Sequence, residues 1–158
     1  MSAFAAAHAT HPDWRMALAL AAAQVDARRA RPPWRLGLVY FTDAYAPHAK
    51  ALLAELQQRW PGVAWAGCVG VGVAAGGVEY IDEPALALLL CDLAPRDFEV
   101  FSGARPLSRI EPYTALVHAD AGTPDIAELI AEMSERTRSG YLFGGLAAGR
   151  RRPHLAQR

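Results

Sequence analysis

Apolar and polar positions along the chain change their period several times, and each change marks an element. Residues 12–31 follow a helical spacing. Pro12 suits a first turn, Asp13 complements the positive start of the helix, and Thr10 and Asp13 stand at capping-box spacing. Arg28, Arg29 and Arg31 crowd the other end, where cations are favoured, and Pro32-Pro33 stops the helix. Residues 36–42, Leu-Gly-Leu-Val-Tyr-Phe-Thr, form an unbroken run of the kind that fills a strand buried on both faces. A turn over 43–47 leads to an amphipathic helix over 48–59, with Ala49, Leu52, Leu53 and Leu56 on one side and Glu55, Gln58 and Arg59 on the other. Pro61-Gly62 ends it, and 63–69 is a second strand entering a glycine-rich stretch at Gly67, Gly70, Gly72, Gly76 and Gly77. Residues 84–91 read as a buried strand, 98–101 as a peripheral one from its Phe-Glu-Val-Phe alternation, and 114–118 as a further strand. A helix over 124–138 follows, and then Tyr141-Leu142-Phe143 enters the run Gly144-Gly145-Leu146-Ala147-Ala148-Gly149.

An internal repeat links these elements. A shift of 77 positions lays Asp43 on Asp120, Pro47 on Pro124, Leu52 on Leu129, Glu55 on Glu132, Arg59 on Arg136, Gly67 on Gly144 and Gly72 on Gly149. Nine of the thirty positions from 43 to 72 are identical without a gap, and the Asp, Pro, Arg and Gly matches do not come from alanine bias. Each copy reads as strand, Asp-Ala turn, helix, strand, glycine loop. The expected fold is therefore α/β: a mixed, largely parallel sheet flanked by helices, with an internal β-α-β duplication. The expected divisions are an N-terminal helical region at 1–35, a main domain at 36–150 and a tail at 151–158. Ligands of open α/β sheets bind beyond the carboxyl ends of strands. The repeat puts Asp43, Asp120 and both glycine loops on one such edge.

Composition narrows the class. An apolar fraction of 53% with 20% charged residues is globular, and a formal net charge of zero gives no footprint for nucleic acid or an anionic membrane. The segment Met16 to Ala23 has the look of a signal-peptide core, but His8, His11 and Asp13 stand where a basic cluster belongs, and the helical pattern runs on through Arg28. No run approaches the ~20 apolar residues of a membrane span. Cys68 and Cys91 lie in apolar strand-like stretches without a pairing motif and read as free thiols of a reducing cytosol.

The chemistry on offer is sparse. Gly70 to Gly76 misses the dinucleotide spacing by one position, lacks the Lys-Ser/Thr ending of a phosphate loop, and opens no helix. Asp43 and Asp120 read either as ligand carboxylates or as caps of the following turns. Cys68 reads as a core thiol before it reads as a nucleophile, and His118 as a hydrogen-bonded structural histidine before a catalytic one. No metal or other cofactor is expected.

Three segments carry a family resemblance: Gly37 to Asp43, Trp65 to Gly72 and Gly140 to Gly149. In order and spacing they resemble the N-terminal domain of the FIST family, over roughly 12–150. The resemblance implies a bacterial, cytoplasmic sensory domain of signal transduction that binds a small molecule, with amino acids as the class, and that is not an enzyme. Its implied partners are a small-molecule ligand and a C-terminal FIST half or a signalling module. The sequence departs from the family pattern by stopping at Arg158 before that half, so it reads as a truncated part. The expected ligand-binding residues, taken from the repeat, are Thr42, Asp43, Cys68, Gly70, Gly72, His118, Asp120, Gly144 and Gly145. A Cys68–His118 enzyme and a scaffold that packs on the second half are the alternatives.

Overall fold

The computed structural model describes residues 3–27, 33–108, 110–120, 122–147 and 155–156. In chain order the elements are β1 (Phe4–Thr10), α1 (Trp14–Asp26), β2 (Leu36–Thr42), a 3-10 turn (Asp43–His48), α2 (Ala49–Arg59), β3 (Ala64–Gly70), β4 (Gly72–Ala75), β5 (Val78–Ile81), β6 (Ala85–Cys91), β7 (Ala115–Asp120), α3 (Ile126–Glu135), β8 (Leu142–Ala147) and β9 (Leu155–Ala156). The fold is mixed α/β.

The main sheet has the order β1-β6-β2-β3-β9. Only β2 and β3 run parallel in it; β6 pairs antiparallel with both β1 and β2, and β9 antiparallel with β3. The expectation of a largely parallel sheet is thus corrected. The crossover through α2 makes one parallel pair, as a helical connection requires. The strands on either side come from distant parts of the chain and enter the other way. A β4–β5 hairpin and a parallel β7–β8 pair stand outside this sheet.

One face of the sheet holds the core. Ala5, Ala7 and Ala9 of β1, Val39 and Phe41 of β2, Trp65 and Val69 of β3, and Leu86, Leu88 and Leu90 of β6 meet Trp14, Ala17, Leu18, Ala21 and Val25 of α1 and Leu52 and Leu56 of α2. Asp13 caps α1, its side chain accepting from Arg15 N–H at 2.9 Å. Thr10 is not the cap that its spacing promised. It ends β1 and donates to the Pro84 carbonyl at 2.7 Å. Pro12 precedes the helix, and Arg28, Arg29, Arg31 and Pro32 lie outside the described residues. Gln24, on α1, grips the backbone of β1: its amide donates to the His8 carbonyl at 2.6 Å and accepts from His8 N–H at 3.3 Å.

Three further expectations change. β2 alternates between buried and half-buried positions instead of being buried throughout, because the helices cover only one side of it. Residues 98–101 form no strand. The glycine-rich stretch, in contrast, is built into a hairpin, turning at Gly76 and Gly77 with φ of 61° and 81°. Among the described residues, no helix is long and apolar enough to cross a membrane.

Candidate functional site

The second face of the sheet carries the chemistry. Strand register sets out rows across it. His8 pairs with Ala87, Ala87 with Tyr40, and Tyr40 with Cys68, so the row reads His8–Ala87–Tyr40–Cys68 over four strands. Tyr40 is the middle of the site. From one side the hairpin reaches it through the small cluster of Val73, Tyr80 and Ala85. From the other side β7 lays the His118 ring against it, centroids 5.3 Å apart and planes tilted by 59°. A second tilted pair lies along the row, where His8 and Tyr80 stand 5.6 Å apart at 51° with His8 Nδ1 and the Tyr80 hydroxyl 2.7 Å apart. Gly76, at the hairpin tip, sits over His8: a Cβ there would come within 2.7 Å of His8 Nε2. A cleft of about 360 Å³ is lined by the tip residues Ala74–Glu79.

The electrostatics of the row favour neutral forms. Burial pushes the Tyr40 hydroxyl up to about 12, with the neighbouring Cys68 thiol adding to the shift. Burial also pushes the Cys68 thiol up and holds the His118 imidazole below its usual range. Each shift has desolvation as its first cause, which penalises whichever form carries charge. A thiol shifted this way is a poor nucleophile.

The expected site residues divide accordingly. Cys68 and His118 are gathered around Tyr40. Thr42 is buried, and its hydroxyl is engaged on both sides: it donates to the Glu83 carbonyl at 2.8 Å and accepts from Ala85 N–H at 3.1 Å. It clasps the end of β2 to the start of β6. Asp43 opens the 3-10 turn after β2. Asp120 ends β7, and its carboxylate accepts from Gly122 N–H at 2.8 Å, the turn-forming bond of an Asx motif. Gly70 lies beside Thr42 at the end of β3, and Gly72 begins β4. Gly144 and Gly145 of β8 lie opposite Val117 and His118. Sequence reasoning missed Tyr40, His8 and Tyr80. The available signal was that Tyr40 and Cys68 each stand two residues before the end of their own strand. Among the described residues no group of three or more His, Cys, Asp or Glu side chains could hold a metal ion.

Residues 35–157, more than three quarters of the chain, match the FIST N domain family. The chain belongs to the FIST N family. A FIST N domain is a sensory domain of signal transduction. The match begins just before β2, so Tyr40, Cys68, Tyr80 and His118 lie within the FIST N region, whereas β1 with His8, and α1, precede it. No curated protein and no solved structure matches the chain.

Proposed function

We propose that this FIST N domain binds a small molecule on the Tyr40 face, as the sensory input of a cytoplasmic bacterial signalling protein. The observation that carries the reading is the position of Tyr40, touched from one side by the β4–β5 hairpin and from the other by β7. A molecule seated there meets two separately connected elements at once. Its binding free energy then couples their positions, which is what a sensor needs. Amino acids or related metabolites are the proposed class, with Asp43 and Asp120 receiving an amino group at the strand ends, and Gly70, Gly72, Gly144 and Gly145 forming the close-approach backbone.

An internal duplication is part of this reading, and the likeness of two units supports it. β2–α2–β3 and β7–α3–β8 are both parallel strand–helix–strand units, and in each the second strand carries a glycine against a valine carbonyl of the first, Gly67 on Val39 and Gly144 on Val117. The raised Cys68 thiol favours binding over Cys-dependent catalysis. A C-terminal FIST half or a signalling module is the proposed output partner.

A thermal-shift screen against the amino acids and related metabolites tests the reading. A ligand at about 100 times its Kd adds roughly 2.7 kcal/mol, or very roughly 5–10 °C in Tm at this size. A ligand whose shift disappears in Tyr40→Leu supports the site. No shift across the panel, or a shift indifferent to that substitution, removes the Tyr40 face from the account.

A further inference from the structure

β1 closes one end of the five-stranded sheet, and an end strand turns half of its peptide groups away from the sheet. Asp92 N–H donates to the Ala3 carbonyl at 2.9 Å and His11 N–H to the Pro84 carbonyl at 3.3 Å, so the odd-numbered positions of this segment face β6. The even-numbered positions face outward. At His8, among them, the outward peptide groups are taken by a side chain: the Gln24 carboxamide of α1 donates to the His8 carbonyl at 2.6 Å and accepts from His8 N–H at 3.3 Å. One carboxamide thus supplies one donor and one acceptor, the set that a residue of an adjoining antiparallel strand would supply.

The rest of this edge lacks the usual obstacles to pairing. Phe4–Thr10 contains no Pro and no Asp, Glu, Lys or Arg, and all seven residues pair with β6 without a bulge. Charges, prolines and bulges are the devices by which end strands ordinarily resist a second chain. The edge also matches itself. A twofold axis normal to the sheet at Ala7 sets Ala6 opposite His8 of a second copy, with small alanines at the crossing and both copies of α1 on the same face. A formal net charge of zero leaves no long-range repulsion between the copies.

We propose that Gln24 is an edge guard: its carboxamide stands in for an adjoining strand at His8 and keeps β1 from pairing antiparallel with β1 of a second copy. A strand laid along this edge in that register needs the His8 peptide and must displace Gln24 to reach it. Gln24 is exposed, so its loss opens the edge without opening the core.

The test uses the full chain, sedimentation velocity over a range of concentrations, and deuterium exchange of the His8 amide. The parent is expected to be monomeric with His8 protected throughout. Gln24→Ala, at an exposed helical position where Ala is the stronger helix former, is expected to self-associate at least tenfold more tightly. Its His8 amide should be open to exchange when dilute and protected again when concentrated. Gln24→Asn, one methylene too short to reach His8, is expected to behave alike and carries the test should Gln24→Ala unfold. Gln24→Glu also loses the donor but puts a charge at the edge, and is expected to stay monomeric. Ala6→Lys added to Gln24→Ala is expected to restore the monomer. A monomeric Gln24→Ala, association that leaves His8 unprotected or survives Ala6→Lys, equal association of Gln24→Ala and Gln24→Glu, or a parent that associates as tightly as Gln24→Ala overturns the inference.

Discussion

His118 holds its imidazole against Tyr40 in surroundings that penalise charge, and this has a consequence for stability that pH exposes. Its folded pKa lies below the ordinary value of 6.5. The unfolded chain therefore takes up that proton first as pH falls, and the stability held above about 6.5 is lost as the solution is acidified toward the folded pKa. Tyr40 and Cys68 are shifted the other way. Their contribution is complete below their ordinary pKa values of 10.0 and 9.0 and is lost as pH rises beyond them. Urea midpoints measured from pH 8 to pH 5 should fall on acidification, and the fall should be smaller in His118→Gln than in the parent. Equal falls in the two proteins would show that His118 does not titrate in the folded state as its burial requires.

At the scale of elements, the two parallel pairs share one close contact. A Cβ on Gly67 would lie 1.7 Å from the Val39 carbonyl oxygen, and one on Gly144 would lie 1.9 Å from that of Val117. Both obstacles are backbone and neither can rotate away. Gly67→Ala should cost about 4 kcal/mol or more, the range reached only by gross steric or core defects, because β2 and β3 form the middle of the core. Gly144→Ala should disrupt β7–β8 and leave the main sheet folded. Circular dichroism melts with the tryptophan signal of Trp14 and Trp65 as a second probe will separate the two outcomes.

These pairs were legible beforehand because their strands are apolar runs bounded by clear turn residues, and the structure places β2, α2, β3 and β6 within a residue or so of where the pattern put them. β1 was not legible. Four of its seven residues are alanine, which has little preference for strands, and its partner β6 begins 75 residues after β1 ends. The alternation at 98–101 had the right period but no partner strand to pair with. The site followed the same division: Cys68 and His118 stood out by chemistry, while Tyr40, Tyr80 and His8 gained meaning only from register across strands distant in sequence.

The molecule as a whole is unevenly buried. The main sheet shares its core with α1 and α2, but α3 has no buried residue, and Leu129, Ile130, Phe143 and Leu146 are 39%, 38%, 48% and 50% exposed. A two-stranded sheet is marginal by itself, and local opening free energies track buried apolar contact. Amides of 115–147 should exchange with deuterium well ahead of those in β2, β3 and β6, and a ligand seated against Tyr40 and His118 should slow the exchange of β7 in particular. Uniform protection across the chain would contradict this uneven distribution of stability.

The pairing of β1 with β6 also bears on how the chain is made. β1 leaves the ribosome well ahead of its neighbour and finds it only after Cys91 has followed, since Phe4 lies opposite Cys91 and Thr10 opposite Ala85. At about 5–20 residues per second, that interval is roughly 4–17 s. For that time the nascent β1 has no sheet to join. Its two grips on α1, from Gln24 to the His8 peptide, are the local contacts within reach, so the N-terminal segment has a partner during synthesis before it has its final place in the sheet.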